Sequence, residues 1–280
     1  MLFGLLWALS FFAAVMLCAG TGAFDTLTFL WLLPVGCLGS FVALLLIGFG
    51  VLLLVCACID PQKPRQKDTP WFRWMIMEIV DVIFHVLPIR VCGEELEKIP
   101  AEGRFLLVSN HLDNIDPAFF FYCFPKSQLA FVGKKETQSM FLVNKVMPKL
   151  RCPTINREND REALKTILQC ISFLKNDTVS VAIFPEGRIN PYRKLAHFRP
   201  GVFKIAQKAN VPIVVCTIQD THHVIPRLLK GKASTVHLHL LDVIAPEEIQ
   251  NKTTVEVAER IYTMMAADLG PENVLGQETT

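Results

Sequence analysis

Charge is what the amino-terminal end of this chain lacks. Between Met1 and Ile59 the only charged side chain is Asp25. A stretch so short of charge cannot form the solvated surface of an ordinary domain. No positive residue precedes its first apolar run, which argues against a cleaved signal peptide, the competing interpretation. The nine cysteines include no Cys-x-x-Cys pair and no neighbouring histidine cluster, so neither a disulfide framework nor a zinc site is indicated. Reduced thiols in a cytosolic domain are the economical interpretation. Net charge is only +2, which argues against nucleic acid as a partner. Internal repeats and low-complexity segments are absent too.

What is present at that end is hydrocarbon. Leu2 to Cys18 gives about 17 apolar residues, near the lower limit for a spanning helix, and Leu27 to Ile59 is long enough to cross with residues to spare. Pro34, Gly36 and Gly39 are expected to break the second run, leaving Phe41 to Cys58 as its firmest part. A transmembrane helical hairpin turning near Asp25 is the simplest topology, with residues 1–60 as a membrane anchor. Lys63, Arg65 and Lys67 follow, and cationic flanks stay on the cytoplasmic side. The chain therefore reads as an integral membrane protein with everything after residue 60 in the cytoplasm.

Residues 61–88 read as a proline-stiffened linker and an amphipathic helix from Thr69-Pro70 to Pro88. Glu78, Asp81 and His85 fall within about 60° on a helical wheel, and tryptophans and other apolar residues fill the rest. Such a helix suits a membrane interface or, equally, a core with three solvated positions.

From Ile89 strands and helices alternate. Strands are expected over 105–109, 128–133, 154–156, 179–184, 213–218 and 235–244, and helices over 116–123, 137–146, 160–175, 201–209 and 253–269. The fold class is α/β, a largely parallel central sheet flanked by helices, over residues 89–270. Residues 271–280 read as a tail.

The densest chemistry is Asn110-His111-Leu112-Asp113-Asn114-Ile115-Asp116-Pro117. It follows the apolar run Phe105 to Val108, a buried strand, and Pro117 sits where a helix can begin. His111 and Asp116 therefore lie on a strand-to-helix turn, the edge of an α/β sheet where ligands bind. A histidine oriented by a carboxylate can take a proton from a hydroxyl. A second run, Val179 to Phe184, leads into Pro185-Glu186-Gly187-Arg188. Gly187 permits a turn with positive φ, and Arg188 offers a fork suited to phosphate oxygens. Arg157, Arg193, Lys194 and Arg199 also follow strand ends; Arg193 and Lys194 read as solvated surface charges.

Together these blocks resemble the glycerolipid acyltransferase family of 1-acylglycerol-3-phosphate acyltransferases. Lys134-Lys135-Glu136, Ile155-Asn156-Arg157, Phe198-Arg199-Pro200-Gly201 and Val211-Pro212-Ile213 fit the family's further blocks in order. The resemblance covers roughly residues 89–245. It implies direct transfer of a fatty acyl group from acyl-CoA or acyl carrier protein to a lysophospholipid hydroxyl, with no cofactor, no metal and no covalent enzyme intermediate. By that resemblance His111 is the base, Asp116 its partner, and Asn110, Lys134, Lys135, Arg157, Glu186, Gly187 and Arg188 bind substrate. The lipid bilayer is then a partner as well.

Two departures bear on the acceptor. Asp113 stands where family members commonly carry a small hydroxyl residue; near His111 it would raise the histidine's proton affinity and repel a phosphate. Arg188 is displaced by one position from the family's arginine, a variant also similar to lysophospholipid-recycling enzymes. Other acceptors, including glycerol-3-phosphate, stay open. So do a metal-dependent phosphoesterase using His111, Asp113 and Asp116, and a silent membrane adaptor.

Overall fold

Two apolar helices open the computed structural model, which describes residues 1–59, 69–134, 136, 139–156 and 159–275. The charged linker 60–68, with Lys63, Arg65 and Lys67, lies outside the described residues, as do Lys135, Arg157 and residues 276–280. Helix α1 (Leu2–Gly20) and helix α2 (Phe29–Ala57) are each long and apolar enough to cross a membrane. The chain reverses between them through Gly22, at φ 67, and a short turn at Ala23–Asp25. Both helices turn large apolar side chains outward, among them Leu9, Phe12, Leu46 and Leu54.

The expected break in α2 does not occur, and the helix runs through Pro34 uninterrupted. Pro34 lies in the second turn, where one lost backbone bond is tolerated. Gly36 faces the partner helix: a Cβ there would come within 3.4 Å of the Ala14 Cβ. The small residue lets the two helices approach closely.

Helix α3 (Pro70–Val86) lies across the hairpin's ends. Its polar stripe is taken up by α1: the Leu2 N–H donates to Glu78 Oε2 at 2.8 Å, and Phe3 stacks on His85. Trp71 and Trp74 stay exposed, whereas Phe72 and Ile76 join the core. Arg73 is buried, donating to the carbonyls of Leu129 and Leu150 at 3.0 and 2.8 Å. These charged hydrogen bonds tie α3 to the sheet and satisfy a cation taken from water.

The sheet comprises β1 (Ile89–Glu94), β2 (Leu106–Ser109), β3 (Leu129–Phe131), β6 (Ser180–Ile183), β7 (Ile213–Gln219) and β8 (Ser234–Ile244), in the order β1-β8-β7-β2-β6-β3. All neighbours pair in parallel except β7 with β8. A small second sheet pairs β4 (Gly133–Lys134) with β5 (Thr154–Ile155). Central strands are buried on both faces, which is why β2 and β6 read as largely apolar runs. Phe105 and Leu107 face a core shared with α3 and helix α4 (Asp116–Cys123). Leu106 and Val108 face one shared with helices α6 (Asp160–Lys175), α7 (Lys204–Ala209) and α10 (Thr254–Leu269).

Strand β1, helix α8 (Thr221–Leu228) and helix α9 (Pro246–Gln250) were not expected. The helix expected over 137–146 is displaced. Helix α5 begins at Val143, because Leu142 has φ 64, and runs to Lys149. Lys145 on α5 donates to the Ile59 carbonyl at 2.5 Å, just beyond the end of α2.

Candidate active site

Three adjacent parallel strands, β7, β2 and β6, end on one edge of the sheet and each delivers a residue there. The chain after β2 brings His111, the chain after β6 brings Glu186, and α8, following β7, starts with Thr221. The two sequence blocks, 75 residues apart, meet because their strands are neighbours: the His111 N–H donates to Glu186 Oε1 at 2.8 Å. This is the crevice beyond the carboxyl ends of a sheet.

His111 Nδ1 lies 2.8 Å from Asp116 Oδ2. Asp116 is fully buried and saturated with donors. Its Oδ2 also accepts the N–H groups of Leu112 and Asp113 at 2.7 and 2.9 Å, and its Oδ1 accepts the Thr221 hydroxyl at 2.6 Å. Fixed in this way, the carboxylate holds the imidazole with Nδ1–H toward it and leaves the Nε2 lone pair free. Phe184 stacks on the ring at 4.0 Å and 4° between planes, so the imidazole cannot turn over.

Glu186 is buried at 5% exposure, and its second oxygen accepts the Ala196 N–H at 3.0 Å. Burial pushes its carboxyl up to about 8, against the two backbone donors that favour the charged form; the nearby Asp116 charge pushes the same way as burial. Near neutral pH Glu186 is therefore mostly in its neutral form. Gly187, at φ 81, makes the turn past Glu186 in a conformation that L side chains rarely adopt.

Beside His111 opens an apolar cavity of about 480 Å³, within the usual range of small-molecule pockets. Ile76 and Val80 of α3, Phe121 of α4, and Val143 and Met147 of α5 wall it, and Phe184 and Gly187 close the end near the imidazole. Among the described residues, Lys134 and Arg199 are the lysine and arginine in its lining. Arg188 is exposed and is not part of that lining. Asn110 lies beneath the site: its amide donates to the Ile218 carbonyl and accepts the Ile218 N–H, both at 2.8 Å. It fixes β2 against β7 and has little left for a ligand. Asp113 does not stand alone, because Arg193 lies 3.7 Å away and also donates to the Leu112 carbonyl. Arg193 is thus no free surface charge. Phe184 was legible only as part of its block, and no local signal marks Thr221 or Arg193.

The strand ends thus place a histidine, held by a saturated carboxylate, next to an apolar cavity. Residues 90–219 match the model of the Acyltransferase family. It is 30% identical over 176 residues to a probable 1-acyl-sn-glycerol-3-phosphate acyltransferase of Mycoplasma pneumoniae, covering 60% of this chain and 65% of that protein. A 1-acyl-sn-glycerol-3-phosphate acyltransferase of Borreliella burgdorferi is 23% identical over 65% of this chain and 74% of its own length. The crystal structure of the 1-acyl-sn-glycerophosphate (LPA) acyltransferase PlsC from Thermotoga maritima shares the fold, with a TM-score of 0.60 and 23% identity over 79% of this chain and 86% of that one.

Proposed function

We propose that this protein is a membrane-bound O-acyltransferase that acylates the free hydroxyl of a lysophospholipid, with 1-acylglycerol-3-phosphate as acceptor and phosphatidate as product. The observation that carries the reading is the His111–Asp116 pair at 2.8 Å, opening on an apolar cavity. His111 Nε2 takes the acceptor's hydroxyl proton, and the oxygen attacks the thioester carbonyl of acyl-CoA or acyl carrier protein. The tetrahedral intermediate collapses, the C–S bond breaks, and the imidazolium returns its proton to the leaving thiolate. General-base help of this kind is worth about 10²- to 10⁴-fold; holding two substrates in register supplies much of the rest. The fatty chain occupies the cavity. Lys134 and Arg199 at its lining hold the acceptor's phosphate, with Lys135, Arg157 and Arg188 as the further cations that the family resemblance assigns to substrate.

In this reading residues 1–60 anchor the enzyme in the bilayer with its catalytic domain, 89–270, on the cytoplasmic side, where the lipid acceptor and product reside. The names of the two bacterial relatives and the shared fold support the acceptor class. The test is thiol release by the detergent-purified protein from acyl-CoA, with a panel of lysolipids, for wild type and His111→Ala. Wild-type release that depends on lysophosphatidate and disappears in the variant is expected. Normal turnover by His111→Ala would refute the base, and release dependent on another lysolipid would move the acceptor.

A further inference from the structure

Arg193 belongs to neither sequence block, yet it acts on the peptide next to the base. Its guanidinium donates to the Leu112 carbonyl and faces the Asp113 carboxylate at 3.7 Å. The Leu112 carbonyl and the Asp113 N–H are the two ends of one peptide group. That N–H donates to Asp116 Oδ2 at 2.9 Å, on the oxygen that also takes His111 Nδ1. A cation on the carbonyl end polarises the peptide and strengthens donation at the other end. The connection runs through rigid backbone, with no rotatable side chain between guanidinium and Asp116.

The turn that delivers Arg193 is itself held. Asn190 is 3% exposed; its side chain accepts the Tyr192 N–H at 2.8 Å, and its carbonyl accepts the Arg193 N–H at 2.9 Å. Arg193 sits at φ 57, a left-handed conformation that a non-glycine residue keeps only where its surroundings impose it. His222, on α8, lies near both Arg193 and Asp113. Its imidazole is biased toward the neutral form by burial first and then by His223 and Arg193.

We propose that Arg193 is a positioning residue for the catalytic base. It fixes the Leu112–Asp113 peptide so that Asp116 orients His111, and Asp113 is the counter-ion that keeps the guanidinium there. The inference rests on the reading of His111 as base. It also gives Asp113 a partner, so this carboxylate is balanced by a cation and does not confront the acceptor's phosphate alone.

The test is steady-state kinetics on the full-length protein in detergent, with palmitoyl-CoA and lysophosphatidate. Arg193→Gln should lower kcat by roughly tenfold to a hundredfold, the scale set by small misplacements of catalytic groups, with both KM values unchanged. Arg193→Lys should recover part of the loss, and added methylguanidinium should restore turnover to Arg193→Ala. Asp113→Asn should lose less, and combining it with Arg193→Gln should add little, as expected for a coupled pair. Wild-type kcat in Arg193→Gln overturns the proposal. So does a loss confined to the KM for lysophosphatidate, which would make Arg193 a phosphate ligand. If Arg193→Gln does not fold, Asp113→Asn decides by the same kcat criterion. An inactive His111→Ala beside a fully active Arg193→Gln removes this inference alone, whereas an active His111→Ala removes the base.

Discussion

Thr221 donates its hydroxyl to Asp116 Oδ1 at 2.6 Å, across 105 residues of sequence, and both side chains are fully buried. This bond closes the donor set around the carboxylate that holds His111. Thr221→Val keeps the volume and removes the donor, leaving a buried carboxylate oxygen short of a partner. The expected loss is about 1–3 kcal/mol of stability, together with reduced kcat, and Thr221→Ser should restore both. Thermal unfolding and turnover check it; a Val variant with wild-type values for both would show that Asp116 does not need the bond.

Asn110 substitutes for a missing rung of sheet. Its amide makes both hydrogen bonds with the Ile218 backbone, at 1% exposure, where β2 has already ended. Asn110→Ala leaves a buried N–H and a buried carbonyl unpaired, at about 1–3 kcal/mol each. Asn110→Asp is expected to be worse than a single lost bond, since a carboxylate cannot donate to the carbonyl and is itself buried. Thermal unfolding midpoints for the two variants test this. If both match wild type, the residue serves a ligand rather than the sheet.

The contrast between what could and could not be seen in the sequence follows interaction range. Helix α4 starts at Asp116 and α6 runs Asp160–Lys175 as expected, because a proline at the first turn and a clean helical repeat are local signals. Strand β1 escaped notice because Gly93 and the charged Arg90 and Glu94 dilute it; among the described residues it is an edge strand paired with β8. The antiparallel run of β8 against β7 is set by how the chain returns after α8, which no local pattern encodes. In the site, His111, Asp116 and Glu186 were legible because adjacent parallel strands carry them to one edge. Arg193 reaches Leu112 across 81 residues, from a turn whose sequence looks like ordinary surface.

Glu186 makes stability depend on pH in a stated direction. Its carboxyl ordinarily titrates at 4.5 and in the fold at about 8. Between these values the native state binds more protons than the unfolded chain, so this group's contribution falls as pH rises through the window. The protection is complete below pH 4.5 and gone above about 8, an effect on the order of a few kcal/mol. Glu186→Gln should flatten that part of the profile. Unfolding midpoints in detergent at several pH values across the window measure it, and parallel curves for the two proteins would contradict the raised value.

The cavity makes a claim about chain length that its α3 wall can test. Ile76 and Val80 line it from α3, while His111 and Phe184 line it from the strand ends. A long acyl chain whose carbonyl lies at His111 must pass the α3 wall if the cavity is its binding site, whereas a short chain need not. Val80→Phe adds bulk to that wall, and its neighbours cannot give way freely because α3 is pinned by Arg73 to the carbonyls of Leu129 and Leu150. The variant should lower kcat/KM for palmitoyl-CoA by about tenfold or more, since the lost chain contacts are worth 1–3 kcal/mol for each displaced methylene. Octanoyl-CoA should be turned over nearly as in wild type, which separates a narrowed cavity from a damaged base. Equal losses for the two donors would place the fatty chain elsewhere.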